Sequence, residues 1–84
     1  MREGPILVVE DEERLAALLR KTLTEAGFDV VLVGTCADAA KAWIERNPRL
    51  VVLDIMLPDG DGLELLTTAR ARGANTPVLV LSAK

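Results

Sequence analysis

The chain has 84 residues, of which 50% are apolar and 27% are charged, and its formal net charge is −3. This composition fits one small domain with an apolar core, and its apolar runs fall far short of the roughly 20 residues that cross a bilayer. With no histidine and a single cysteine, the sequence excludes an intrachain disulfide, Ser-His-Asp chemistry and the usual zinc sites.

The first predicted unit is a strand followed by a helix. The apolar run from Ile6 to Val9 predicts a strand that is buried on both faces, as in a parallel sheet. Leucines at helical spacing predict a helix over residues 12–26 that ends at Gly27. Its predicted apolar stripe consists of Leu15, Leu18, Leu19, Leu23 and Ala26.

The second unit repeats this order. Residues 30–33 predict another buried strand, and residues 37–46 predict a helix that ends at Asn47-Pro48, because proline cannot continue a helix. The predicted buried face of this helix carries Ala40, Trp43 and Ile44. Trp43 and the lone Phe28 are both expected in the core or in helix packing.

The third unit completes the pattern. Residues 50–53 predict a strand, residues 62–72 predict a helix that ends at Gly73, and residues 78–81 predict a fourth strand. The helix stripe consists of Leu63, Leu66 and Ala69. The glycines and Pro58 between the third strand and this helix predict only turns. Alternating strands and helices favour an α/β fold with a doubly wound parallel sheet.

Polar side chains follow three of the four strands. Glu10 and Asp11 follow the first strand, Asp54 follows the third and Ser82 follows the fourth. Ligands of open α/β sheets bind beyond the carboxyl ends of the strands. If the first and third strands are neighbours, three carboxylates meet there, and such crowding raises a pKa or binds a cation. Oxygen donors without histidine favour Mg²⁺, with Mn²⁺ or Ca²⁺ as substitutes.

Three segments carry a resemblance to a known family: Ile-Leu-Val-Val-Glu10-Asp11-Glu12, Val-Val-Leu-Asp54-Ile-Met56-Leu-Pro58-Asp-Gly-Asp61-Gly62 and Thr-Pro77-Val-Leu-Val-Leu-Ser82-Ala83. They look like the receiver domain of bacterial two-component response regulators, in the branch that carries a winged-helix DNA-binding domain. The resemblance implies a flavodoxin-like sheet of order 2-1-3-4. It covers residues 1–84 as the N-terminal part of a receiver domain, without the fifth strand and the last two helices.

The resemblance also implies a role for each site residue. Asp54 would accept a phosphoryl group from the phosphohistidine of a sensor histidine kinase. Asp11 and Asp54 would bind Mg²⁺ directly, the backbone carbonyl of Met56 would be a third ligand, and Glu10 would act mainly through a bound water. Ser82 would donate a hydrogen bond to the phosphoryl group.

Several expectations follow for the chain as a whole. Lys84 is not the family's lysine, which would follow a fifth strand, so we expect slow phosphorylation from small donors and no output switch. The chain would be a phosphoacceptor that assists its own phosphoryl transfer rather than an enzyme, and it would be cytoplasmic. Its scattered Lys and Arg residues predict no direct contact with nucleic acid. A bare edge at the fourth strand predicts a homo-oligomer.

Other interpretations of the same residues stay open. Asp11 is also well placed to cap the first helix, and Ser82 alone reads as an ordinary residue at a strand end. Asp59-Gly-Asp61-Gly is similar to the nucleophile and acid of a haloacid-dehalogenase-like phosphatase, although that motif should follow a strand directly. A structural or assembly module, in which the acids have no chemical role, is the remaining alternative.

Overall fold

The computed structural model describes residues 4–81 as a parallel sheet with α1 on one face and α2 and α3 on the other. The elements follow in the order β1 (Ile6–Val9), α1 (Glu13–Glu25), β2 (Val30–Val33), α2 (Cys36–Arg46), β3 (Leu50–Leu53), β4 (Met56–Leu57), β5 (Gly60–Asp61), α3 (Gly62–Ala71) and β6 (Val78–Val80). None of the helices in this range has the length and apolar character that a membrane span requires.

The main sheet has the strand order β2-β1-β3-β6, and all its neighbours are parallel. This confirms the predicted order 2-1-3-4, because β6 is the fourth strand of this sheet. The chain turns to opposite sides of β1 when it forms β2 and β3, so the topological switch point lies at the carboxyl ends of β1 and β3. Within residues 4–81 the sheet has no fifth strand, and no helix follows α3.

A second, very short sheet was not predicted. β4 and β5 pair antiparallel, with Met56 opposite Asp61 and Leu57 opposite Gly60. The segment between β3 and α3 is therefore a small hairpin rather than the simple turn that its glycines and proline indicate. This hairpin begins two residues after Asp54 and lies beside the carboxyl edge of the main sheet.

The face covered by α2 and α3 contains the larger core cluster. Trp43 is 3% exposed, which confirms it as a core residue, and its Nε1–H donates a 3.1 Å hydrogen bond to Oγ1 of the buried Thr76. The prediction for Ile44 is wrong, since 64% of this residue is exposed. Ala39 and Trp43, four residues apart, take the buried stripe of α2 and turn Ile44 toward solvent.

The end of α2 agrees with its prediction. Asn47 follows the helix in the left-handed region at φ 46°, a conformation that commonly ends helices.

In α3, the buried leucine is Leu65, whereas Leu63 is 45% exposed. The predicted stripe of α3 is therefore displaced, although Ala69 is buried as expected.

The face covered by α1 is less well filled. Leu19 and Leu23 pack against the buried residues of β1 and β3, while Leu18 is 59% exposed, so the predicted stripe of five residues is too wide. The N-terminus of α1 bears on the alternative interpretation of Asp11 as a helix cap. Glu12, rather than Asp11, accepts hydrogen bonds from the first turn, and Asp11 is not required for capping.

Two strands are less buried than their sequences predict. All four residues of β2 are half-buried, and in β6 Leu79 is 55% exposed and Val80 is 39% exposed. β2 and β6 form the two edges of the described sheet, where each has a neighbour on one side only. The expectation that Phe28 lies in the core is also wrong, since this residue is 36% exposed and its ring stacks under the guanidinium of Arg49, 5.4 Å from the ring centre.

Gly62 begins α3 at a point where the helix touches the end of β3. Its N–H donates a 2.6 Å hydrogen bond to the carbonyl of Ile55. A Cβ at this position would collide with the carbonyl oxygen of Asp54 and would lie 3.1 Å from Cα of Ile55. Glycine is therefore required here by space, because any side chain would push α3 away from β3.

We predict that Gly62→Ala lowers the free energy of unfolding by about 1–2 kcal/mol, since overpacking costs about 1–3 kcal/mol and the helical preference of alanine returns at most about 1 kcal/mol. Urea unfolding followed by Trp43 fluorescence measures this change. Gly34→Ala is the matched control, because its nearest contacts would lie at 3.8 Å. Equal stabilities of the two variants would contradict the close contact at Gly62.

Candidate functional site

The pairing of β1 with β3 brings two acidic residues to the same edge of the sheet. Val9 is opposite Leu53, and the Asp54 N–H donates a 2.9 Å hydrogen bond to the carbonyl of Val9. On the other side of β1, the Glu10 N–H donates a 3.0 Å hydrogen bond to the carbonyl of Val33. Glu10 and Asp54 thus directly follow the sheet's two innermost strands.

Asp11 completes a cluster of three carboxylates. One carboxylate oxygen from each of Glu10, Asp11 and Asp54 lies within 4.8 Å of the other two. Glu10 is 5% exposed and Asp54 is 9% exposed, whereas Asp11 is exposed. The cluster therefore has a buried floor and an open side, as a site that exchanges ligands with solvent requires.

The electrostatics of the cluster favour a bound cation. Burial raises the pKa of Glu10 above its ordinary value, the hydrogen bond from the Glu12 N–H to Glu10 Oε2 at 3.0 Å lowers it, and the neighbouring Asp54 and Asp11 raise it further. Two buried carboxylates side by side are costly unless a positive charge offsets them. All the side-chain donors are oxygens, which fits a hard divalent cation such as Mg²⁺.

The residues after Asp54 fold back toward it. The Met56 N–H lies 3.4 Å from Asp54 Oδ1, at the long end of a hydrogen bond, and the Met56 side chain is 59% exposed. The backbone of Met56 therefore lies beside Asp54 while its side chain is exposed to solvent. A carbonyl ligand to a metal ion requires this proximity of the backbone. That the Met56 carbonyl binds a metal ion stays a prediction.

One predicted site residue cannot be placed. Ser82, like Lys84, lies outside the described residues. The last described residue, Leu81, donates a 2.9 Å hydrogen bond from its N–H to the carbonyl of Leu53. The described part of the fourth strand therefore extends to a position beside the residue that precedes Asp54.

The hairpin contains two acids whose hydrogen bonds to helix N-termini were not predicted from the sequence. Asp59 accepts hydrogen bonds from the N–H groups of Cys36 at 2.6 Å and Ala37 at 3.0 Å, in the first turn of α2. Asp61 accepts one from the Leu63 N–H at 2.8 Å and caps α3. Both motif acids of the phosphatase interpretation thus bind helix N-termini, and neither belongs to the carboxylate cluster of the described residues.

A sequence signal existed for one of these two roles. Asp61 with Glu64 three residues later is typical of a helix N-terminus. No comparable signal marks Asp59, because its partners lie 22 and 23 residues earlier in the chain. Contacts of that length come only from the tertiary structure.

Comparison with known proteins agrees with this geometry. A family model described as "Response regulator receiver domain" matches residues 6–84. The "Uncharacterized transcriptional regulatory protein YkoG" of Bacillus subtilis (strain 168) is 39% identical over 84 residues, which are 100% of this chain and 37% of that protein. The "Alkaline phosphatase synthesis transcriptional regulatory protein PhoP" of the same organism is 40% identical over 79 residues, 94% of this chain and 33% of that protein.

A solved structure shows the same fold. The "MaeR response regulator bound to beryllium trifluoride" superposes with a TM-score of 0.88 at 36% sequence identity, over 96% of this chain and 68% of that chain. This chain thus spans about a third of the length of the two curated relatives and about two thirds of the solved one. The flavodoxin-like architecture is confirmed by this likeness.

The family gives the acidic cluster its context. Receiver domains are phosphoacceptor signalling modules rather than classical enzymes, and they receive their phosphoryl group from histidine kinases. The cluster of Glu10, Asp11 and Asp54 is typical of the receiver-domain metal site. Motif, fold and family match together show that the chain belongs to the receiver domains of two-component response regulators.

Proposed function

We propose that Asp54 is the phosphoacceptor of this receiver. An oxygen of its carboxylate attacks the phosphorus of a phosphohistidine, the N–P bond breaks, and an aspartyl phosphate forms. The observation that carries this proposal is the position of Asp54, which is 9% exposed at the carboxyl edge of the sheet and within 4.8 Å of two other carboxylates. The Met56 N–H, 3.4 Å from Asp54 Oδ1, helps to orient the attacking group.

The same cluster would hold Mg²⁺, with Mn²⁺ or Ca²⁺ as substitutes. Asp11 and Asp54 would bind through carboxylate oxygens, Met56 through its carbonyl and Glu10 mainly through a water molecule. When bound, the ion supplies positive charge against the phosphoryl oxygens. The buried Glu10 adds negative charge beneath the ligands, and the exposed Asp11 leaves the site open to a phosphodonor. The hydroxyl of Ser82 would donate to the phosphoryl group.

The phosphodonor in this proposal is a sensor histidine kinase in the cytoplasm. Residues 1–84 would form the N-terminal part of the receiver and would not touch nucleic acid directly. YkoG and PhoP are transcriptional regulatory proteins by name, so the whole protein would act on DNA through a separate winged-helix domain. The chain would assist its own phosphorylation and would not be an enzyme acting on other substrates.

Phosphorylation is tested by intact mass. After incubation with acetyl phosphate and Mg²⁺, we expect the chain to gain the mass of one phosphoryl group, slowly, and Asp54→Asn to gain none because it has no carboxylate to form the acyl phosphate. Asp29→Asn, at an exposed loop position, is the matched control and should be modified like the wild type. Equal modification of Asp54→Asn would refute the assignment, and so would an unmodified wild type.

The charge repulsion in the cluster gives a second test. Without metal, Asp54→Asn should be more stable than the wild type, since relief of about 1 kcal/mol of repulsion raises Tm by about 4–8 °C in a domain of this size. Mg²⁺ at 100 times its Kd should stabilise the wild type by about 2.7 kcal/mol and the variant by less. Thermal melts with and without Mg²⁺ measure both effects, with Asp29→Asn as control. Melts that respond to neither change would show that the carboxylates do not share an ion.

We also propose that a polypeptide of these 84 residues self-associates through β6. This strand is an edge of the described sheet, and Leu79 and Val80 on it are 55% and 39% exposed. Sheet edges with exposed apolar side chains promote pairing between chains.

Sedimentation velocity over a range of concentrations tests this association. We expect dimers or larger species in the wild type and a shift toward monomer in Leu79→Lys, because a charged side chain on an edge strand opposes pairing. Ile44→Lys replaces an apolar residue of α2 that is even more exposed, at 64%, and should not change the association. A monomeric wild type at high concentration would rule out the proposal.

A further inference from the structure

The β4–β5 hairpin cannot support itself. It contains only two residue pairs, and isolated two-stranded hairpins are at best marginally stable in water. Two-residue turns that match the twist of a hairpin need positive φ angles. Among the described residues only Asn47, Gly27 and Gly73 have a positive φ, so neither Pro58 nor Asp59 supplies one. The hairpin must therefore be held from outside.

Its base is held by the end of β3 and the start of α3. The Gly62 N–H donates to the Ile55 carbonyl at 2.6 Å, and the Gly62 backbone packs against the carbonyl of Asp54. Asp61 then caps α3 through the Leu63 N–H. These contacts fix the residues on either side of the hairpin, but they do not fix the direction in which the hairpin itself runs.

The tip is held by Asp59. Both oxygens of its carboxylate accept hydrogen bonds from α2, Oδ1 from the Cys36 N–H at 2.6 Å and Oδ2 from the Ala37 N–H at 3.0 Å. A Cβ on Gly60 would lie only 3.3 Å from Cys36 Sγ, so the tip also lies close against that side chain. The backbone hydrogen bonds lower the pKa of Asp59, which keeps the carboxylate charged at the positive end of the helix dipole.

We propose that Asp59 is a positioning residue for the metal site. By fastening the hairpin tip to α2, it fixes the path of β4 and thereby holds the backbone of Met56 beside Asp54. This inference rests on the proposed function, in which the Met56 carbonyl is a metal ligand. Residues that orient a ligand without touching the ion commonly change metal affinity by about 10–100-fold when they are removed.

A purely structural role for Asp59 would be the stabilisation of α2. This role can be tested separately from the positioning of the hairpin, because Thr35 also caps α2 by accepting a 3.1 Å hydrogen bond from the Asp38 N–H. Thr35 does not belong to the hairpin. Thr35→Ala therefore weakens the same helix terminus and leaves the attachment of the hairpin in place.

The experiment compares three variants with the wild type: Asp59→Ala, Asp59→Asn and Thr35→Ala. Mg²⁺ affinity is measured by isothermal titration calorimetry, and hydrogen exchange of the β4 and β5 amides is measured without metal. We expect Asp59→Ala to bind Mg²⁺ about 10-fold more weakly and to exchange faster in the hairpin. Thr35→Ala should keep both wild-type values despite a lower Tm.

Asp59→Asn separates geometry from charge. Asparagine keeps one acceptor oxygen for α2 and loses the negative charge, so a positioning role predicts a smaller loss of affinity than in Asp59→Ala. Equal losses in both variants would make the effect electrostatic and overturn the inference, as would unchanged affinity and exchange in Asp59→Ala. A wild type that bound no Mg²⁺ would instead refute the proposed function, and with it any role of Asp59 toward the ion, while hydrogen exchange would still report whether Asp59 holds the hairpin.

Discussion

The parallel pairing of β1 with β3 is the constraint on which the whole site depends. Val9 lies opposite Leu53, and the Asp54 N–H continues this ladder to the Val9 carbonyl. A slip of one residue would turn every side chain of the strand to the other face of the sheet. Glu10 and Asp54 would then no longer belong to one cluster, and the proposed metal binding and phosphoryl transfer would have no site there.

The cluster is held together against its own repulsion. Three carboxylates lie within 4.8 Å of one another and two of them are buried, so their negative charges repel one another when no cation offsets them. The strands beneath them offset this cost, since Leu7, Val9 and Leu53 are almost completely buried and each such side chain contributes about 1.5–3 kcal/mol. The central strands thus contribute most to stability, and the carboxylates that repel one another lie at the ends of these strands.

The acids around the site divide into two groups by their partners. Glu12, Asp59 and Asp61 accept backbone N–H hydrogen bonds at the starts of α1, α2 and α3, where helix dipoles favour negative charge. Asp11 and Asp54 have no such helix partner among the bonds of the described residues and face the shared cluster. Acidic residues therefore cap helices in one place and form the carboxylate cluster in another, and the position of the backbone decides which role each one has.

The sequence alone determined the order of strands and helices, because apolar periodicity and helix-ending residues are local signals, and its motifs indicated the three clustered acids. It could not determine that Ile44 is exposed, that Glu12 caps α1 or that both edge strands are partly exposed to solvent, because these features depend on which elements pack together. The hairpin and the attachment of Asp59 to α2 were decided by the tertiary structure only. Asp59 and its partners in α2 lie more than twenty residues apart, and no local pattern encodes a contact that forms only when the chain has folded.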